Sequence, residues 1–279
     1  MTTRLHALIG DYPATSAIRE GRIASSVVSL DLDDVRPPSS AFKRVVRGLE
    51  FDVAELAIVT FLMAKAHGKP LRLVPATLVA RFQHPLLVHN VERGPLRPQD
   101  LPGKRIGVRS YSVTTGMWIR GILSEDFGVD PGSIRWTTFE EAHVAEFRDP
   151  PNVERAPAGK KVVEMLLAGE LDAAIVGDGM APDPRVRPVI PDPEAAAAAW
   201  RAKYGTLQLN HVVVAKDNVS RHESEEVLRM LGESFRVAGN PSMNPLGAEA
   251  LRRPLEVAIE FCHRQRLIPR RFAVEELYE

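Results

Sequence analysis

Six side chains in this sequence combine charge and hydrogen-bonding capacity in positions suited to a ligand: Asp11, Arg81, His84, Arg109, Arg120 and His211. Together they offer cations and donors for an anionic ligand, plus an acid/base. Histidine or aspartate can hand a proton to a substrate when its surroundings tune it. Arginine presents a planar pair of donors to a carboxylate. The stretch from Gly103 to Leu123 gives such an anion a place to bind. Arg105 to Val108 reads as a short buried strand, followed by a hydroxyl-rich turn and a helix. Thr114 or Thr115 suits the N-cap, where a hydroxyl accepts from an otherwise unpaired first-turn amide. A helix N-terminus attracts anions. Helical side chains lean back toward it, so Arg120, one turn inside, can add a guanidinium there. The plainer alternative is a strand–turn–helix joint with a solvated arginine.

Other chemistries lack their signatures. There is no Gly-rich phosphate loop, G-x-S-x-G elbow or HExxH zinc helix. His84 and His89 are five apart on a segment that reads as extended, so they face opposite sides and make no metal pair. Gly177-Asp178-Gly179 reads as a turn after a strand. No metal and no cofactor are expected. His84 and His211 each lie beside a strand, and a lone histidine is more often structural than functional.

The elements that must position these groups follow from the periodicity. Leu5 to Ile9 and Val27 to Leu32 read as strands, with a short helix over Ala14 to Glu20. Phe42, Val45, Val46 and Leu49 fall at i, i+3, i+4, i+7 behind Ser39-Ser40, an amphipathic helix. Phe51 to Ala54 reads as a very short strand, with an apolar helix from Glu55 to about His67. Leu71 to Ala76 is a strand, Arg81 to Asn90 is extended, and Pro95, Pro98 and Pro102 mark a crossover. Beyond the Gly103–Leu123 stretch, Ile134 to Thr137 is a strand and Phe139 to Ala158 a loop of the kind that can form a lid. Lys160 to Leu167 is a helix, Leu171 to Val176 and Val186 to Ile190 are strands, and Glu194 to Lys203 is an alanine-rich helix. Leu207 to Ala215 is the last strand, and the rest from about Arg221 is helical. This alternation is an α/β fold of two lobes, residues 1–90 plus 211–279 and, inserted between them, 91–210.

At 279 residues the chain suits one large or two medium domains. Its 36 basic residues balance 36 acidic ones, and no basic run with interleaved aromatics appears, which argues against a nucleic-acid partner. The single Cys262 excludes an internal disulfide and any Cys-rich metal site. Residues 1–11 hold no apolar run long enough for a signal peptide, and no later segment reads as a membrane span, so the expected location is cytoplasmic.

A series of segments in order resembles the 4,5-dihydroxyphthalate decarboxylase family. They are Gly10-Asp11-Tyr12, Phe51-Asp52-Val53-Ala54-Glu55-Leu56, Arg81-Phe82-Gln83-His84, Asp100 to Val108, Thr114 to Leu123, Leu167 to Ala173, and His211 to Val214. The Asp100–Val108 and Leu167–Ala173 pieces occur widely among solute-binding proteins. The R-F-x-H and T-x-x-x-W-x-R-G-I-L pieces are more specific. Tyr204 to His211 and Thr137 to Ala142 depart from the family pattern.

The resemblance implies the two-lobed fold of type II periplasmic solute-binding proteins, with a ligand held between the lobes. It also implies decarboxylation of a hydroxylated aromatic dicarboxylate in aromatic-acid breakdown. On that reading Arg81, Arg109 and Arg120, with Thr114, Thr115 and the amides after Thr114, bind carboxylate. His84 or His211 is the proton donor, and Asp11 orients a hydroxyl or the imidazole. The competing reading is a non-catalytic binding protein for a small carboxylate. Thiamine-pyrimidine and menaquinone-pathway enzymes share the fold, but their motifs find no match here.

Overall fold

The computed structural model describes residues 2–177 and 180–279. Asp178 and Gly179, and with them the expected Gly177-Asp178-Gly179 turn, lie outside the described residues. In chain order the strands and helices run β1 (Thr3–Leu8), α1 (Ser16–Arg19), β2 (Val28–Leu32), β3 (Val53–Ala57), α2 (Ile58–Ala66) and β4 (Leu71–Ala80). Then come β5 (Leu87–Asn90), β6 (Arg105–Val108), α3 (Thr114–Phe127), β7 (Arg135–Thr138), β8 (Val153–Arg155), α4 (Val162–Ala168), β9 (Ala173–Ile175), β10 (Val186–Pro188) and α5 (Pro193–Tyr204). The chain ends with β11 (Leu209–Lys216), α6 (Arg221–Val237) and α7 (Ala248–Arg264).

The chain divides into two compact units. The first comprises residues 1–81, 143–146 and 207–279, the second 82–142 and 147–206. The first unit holds a five-stranded sheet in the order β2-β1-β3-β11-β4. β1 pairs in parallel with β2 and β3, while β11 runs antiparallel to both β3 and β4. The C-terminal ends of β1, β3 and β4 therefore meet the N-terminal start of β11 along one sheet edge, where ligands of open α/β sheets bind. Ala7, Ile9, Val53, Val213 and Ala215 form a core with Ala17 and Ile18 of α1 and Val227, Met230, Leu231 and Phe235 of α6. Those α6 residues recur at i, i+3, i+4, i+8, the stripe a surface helix turns inward. A capping box at Ser220 and Glu223 starts that helix.

The second unit holds a six-stranded sheet in the order β10-β5-β9-β6-β7-β8. The strands β9, β6, β7 and β8 are parallel, and β5 is antiparallel to β9 and β10. Trp118, Trp136 and Trp200 fill its interior. Gly169 closes α4 with a left-handed backbone (φ 75°), a conformation glycine adopts without a Cβ clash.

Several expectations are corrected. Residues 87–90 pair in the second sheet as β5, so the first unit ends at Arg81 and not at residue 90. The Phe42 stripe is buried at Phe42, Val45 and Val46 as expected, but its backbone is a 3-10 turn followed by a π-helical turn over Arg44–Gly48. The Phe139–Ala158 loop contains β8 and contributes residues 143–146 to the first unit. His84 lies in a 3-10 turn, not on an extended run. Glu55 is interior to β3 and does not begin a helix. Among the described residues no helix is long and apolar enough to cross a membrane.

Candidate active site

The register of the first sheet builds the site. In antiparallel β3 and β11, His211 faces Ala57 and Val213 faces Glu55. Directly paired residues share a face, and residues two apart on one strand share it too. Glu55 and His211 are thus diagonal neighbours on one face, a spacing that long side chains bridge. They do so: His211 Nδ1 lies 2.6 Å from Glu55 Oε1.

Glu55 is wholly buried and receives two further bonds. The Tyr12 hydroxyl donates to Oε1 at 2.6 Å, and the Gly10 amide donates to Oε2 at 2.9 Å. A buried carboxylate is costly unless donors surround it, and here three converge. The turn after β1 is shaped to deliver two of them. Thr15 Oγ1 donates to the Gly10 carbonyl at 2.6 Å and accepts from the Tyr12 amide at 3.0 Å. Gly10 allows this close approach: a Cβ there would lie 2.6 Å from Tyr12 Cζ and 2.7 Å from Glu55 Oε2.

With Nδ1 engaged by Glu55, Nε2 is the His211 nitrogen left to take up or release a proton at a ligand. The imidazole is half-buried, and the fully buried Phe42 ring packs on it edge-on, with centroids 5.1 Å apart. Arg81 follows directly on β4, where its amide donates to the Gln208 carbonyl at 3.2 Å. Burial lowers the Arg81 pKa, and the nearby Tyr12 oxygen opposes that shift. Burial, followed by the Glu55 charge and hydrogen bond, holds the Tyr12 phenol well above its ordinary range. Tyr12 is therefore a neutral donor throughout the physiological range. A carboxylate that orients an imidazole, beside a cation and a phenol, is equipped for proton transfer on an anionic substrate.

Asp11 takes no part in that cluster. It is exposed and pairs with Arg36 at 3.0 Å, so the orienting role expected of it belongs to Glu55. Sequence reasoning missed Glu55 as a functional group because Glu55 reads locally as a helix start. The signal was present as a carboxylate within Phe51-Asp52-Val53-Ala54-Glu55-Leu56, otherwise apolar from Val53 onward. His143 was missed as well. It is buried, its Nδ1 is 2.8 Å from Thr60 Oγ1, and its ring packs on Phe42 with centroids 5.6 Å apart.

The remaining expected residues lie in the second unit. Helix α3 starts earlier than expected, with Val113 and not Thr114 or Thr115 as N-cap, and with no side-chain cap bond. Thr114 is accordingly inside the first turn and buried, and Thr115 is half-buried. Arg120 is wholly buried, its guanidinium 3.8 Å from the Tyr111 ring centroid. It does lean back toward the helix start: a Cβ on Gly116 would lie 3.1 Å from its Nη1. Burial raises the Asp149 pKa, against the opposing charges of Arg155 and Arg120. Arg109 departs from the expected role, because it is half-buried and already pairs with Glu140 at 3.4 Å. His84 is buried, and neither ring nitrogen has a hydrogen-bond partner among the described residues. Burial pulls its pKa down to about 4, against the pull of Asp126, so it is a neutral imidazole at pH 7 and a poor proton donor. Among the described residues no group of three or more His, Cys, Asp or Glu is placed to hold a metal ion.

No protein-family model matches the chain. A Pseudomonas putida protein named 4,5-dihydroxyphthalate decarboxylase is 30% identical over 210 residues, covering 70% of this chain and 80% of that protein. A Comamonas testosteroni protein of the same name is 27% identical over 246 residues, 78% of this chain and 70% of that protein. Among solved structures, the periplasmic aliphatic sulphonate binding protein SsuA from Escherichia coli is similar with a TM-score of 0.56 at 12% identity. The match covers 100% of this chain and 98% of that one. That likeness gives the fold: two α/β lobes of the type II solute-binding class, the second inserted into the first.

Proposed function

The chain belongs to the 4,5-dihydroxyphthalate decarboxylase family, and we propose on that premise that it is a carboxy-lyase for a hydroxylated aromatic dicarboxylate of that kind. The observation that carries the proposal is the buried Glu55 carboxylate on His211 Nδ1, with Tyr12 and Gly10 completing its shell.

Loss of CO₂ from such a ring requires a proton at the carbon that bears the carboxylate. A para hydroxyl supplies electron density to that carbon. His211 protonates it from Nε2 while Glu55 holds Nδ1–H and stabilises the imidazolium beforehand. The ring–carboxylate bond then breaks, its electron pair returns to the ring, CO₂ departs and aromaticity is restored. His211 regains one proton from solvent, so each turnover consumes one. Arg81 holds the spectator carboxylate, and its half-buried position strengthens that interaction relative to water.

The test offers 4,5-dihydroxyphthalate to the purified protein, with and without a chelator, and follows CO₂ release and the monocarboxylate product. Turnover that survives the chelator is expected. His211→Ala should lose at least about 10²-fold in kcat while still binding the compound. Binding without turnover by the unaltered protein would refute the catalytic assignment and leave a carboxylate-binding protein on the same scaffold.

A further inference from the structure

We propose that His143 is a positioning residue for His211, acting through the Phe42 ring. Phe42 is fully buried and its ring meets two imidazoles in T-shaped contacts, 5.1 Å and 81° to His211, 5.6 Å and 89° to His143. One side of the His211 ring is thus fixed by a hydrogen bond to Glu55, and another by a ring that His143 backs.

His143 is itself tied down. Its Nδ1 bonds Thr60 Oγ1 at 2.8 Å, its carbonyl accepts from Arg47 Nε at 2.8 Å, and Glu146 nearby pairs with Lys69 at 2.7 Å. Thr60 lies in the first turn of α2, which follows directly on β3 and Glu55. Glu55, His211, Phe42, His143 and Thr60 therefore form a closed circuit that leaves one continuous strand–helix segment and returns to it. Residues 143–146 act as a strap on the first unit, and the circuit converts docking of the strap into orientation of His211. Within this frame Glu55 bonds His211 directly, Tyr12 bonds Glu55, and His143 bears on His211 through Phe42.

Three variants separate the ring contact from the tether. His143→Asn keeps a polar group near the Nδ1 position for Thr60 but removes the ring. His143→Phe keeps the ring edge against Phe42 but drops the bond, and His143→Ala removes both. The primary readout is the His211 tautomer, from long-range proton–nitrogen correlation spectra of ¹⁵N-histidine-labelled protein. In the unaltered protein Nδ1 should carry the hydrogen. His143→Ala and His143→Asn should populate the Nε2–H form or broaden the His211 signals. They should also lower kcat about three- to tenfold with KM within twofold. His143→Phe should stay within twofold of the unaltered protein and keep its spectrum.

Unchanged His211 signals in both His143→Ala and His143→Asn would overturn the proposal. So would a perturbed His143→Phe beside an unperturbed His143→Asn, because the tether and not the ring would then set the geometry. The kinetic arm rests on the function proposed above, and the spectroscopic arm does not. If the protein released no CO₂, the tautomer measurement alone would decide the role of His143.

Discussion

Replacing Glu55 by Gln tests whether the buried carboxylate sets the chemistry of His211. The two side chains have nearly the same shape, so the change swaps one oxygen for an amide nitrogen. The Gly10 amide can only donate, and it points at Oε2, which forces the glutamine oxygen to that side. The new NH₂ group then faces Tyr12 and His211 at the former Oε1 position. The Tyr12 hydroxyl can rotate and accept. The imidazole must carry its proton on Nε2 and accept at Nδ1, because Nδ1–H would meet another donor. The imidazolium that the proposed protonation requires loses a charge-assisted bond at Nδ1 and the neighbouring negative charge. A hydrogen bond to a charged group, its charge included, contributes about 1.5–3 kcal/mol, which gives roughly 10–10²-fold in kcat at ~1.4 kcal/mol per tenfold. Stability should change little or rise, since a buried charge has been removed with its shape retained. Steady-state CO₂ release, thermal unfolding and the His211 tautomer measure the three consequences. Turnover within threefold of the unaltered protein, or a His211 that still carries its hydrogen on Nδ1, would show that Glu55 does not govern the imidazole.

Two further outcomes follow from the geometry. Gly10→Ala would place a methyl group 2.6 Å from Tyr12 Cζ and 2.7 Å from Glu55 Oε2. It should cost about 1–3 kcal/mol in chemical denaturation by overpacking and depress turnover by displacing Tyr12, whereas unchanged values for both would remove the steric reason given for this glycine. His84 links stability to acid, because its native pKa near 4 lies below the unfolded value of 6.5. The unfolded chain therefore binds a proton that the native protein does not. No stability is lost to this group above pH 6.5, and about 3 kcal/mol is lost as pH falls from 6.5 to 4, with no further loss below. Across that window the parent should lose about 3 kcal/mol relative to His84→Phe in chemical denaturation, and parallel curves would mean that His84 is hydrated in the native state.

The fold was largely legible because its signals are local. The strand at Arg105–Val108, the stop of α4 at Gly169 and the N-terminal end of α5 near Asp192 depend on neighbours a few residues away. The β5 assignment was not legible in the same way. Leu87–Asn90 is a four-residue strand, half of it polar, whose partners, β9 and β10, arrive more than eighty residues later. The π-helical turn at Arg44–Gly48 also escaped, since its inward residues keep the spacing of an ordinary helix.

The site separates the same two kinds of information more sharply. Arg81, Arg120 and His211 were named because their residue types announce anion binding and proton transfer; Arg81 and His211 lie in the first unit with Glu55, and Arg120 is buried in the second. Asp11 and Arg109 were named on the same grounds, yet Asp11 is exposed, Arg109 is half-buried, and each is neutralised by a partner that local sequence does not reveal, Arg36 and Glu140. His84 differs in the opposite way: burial disfavours its charged form, and neither ring nitrogen has a hydrogen-bond partner among the described residues. Glu55 is the instructive case. A carboxylate in the middle of a buried strand would destabilise the fold by several kcal/mol if it were left unpaired, so its presence there demands donors from elsewhere. Those donors come from a turn 45 residues before it and a strand 156 residues after it. Only the antiparallel placement of β11 beside β3 brings the second of them within reach. The demand for partners is readable in the sequence, and their identity becomes readable only once the strand order is known.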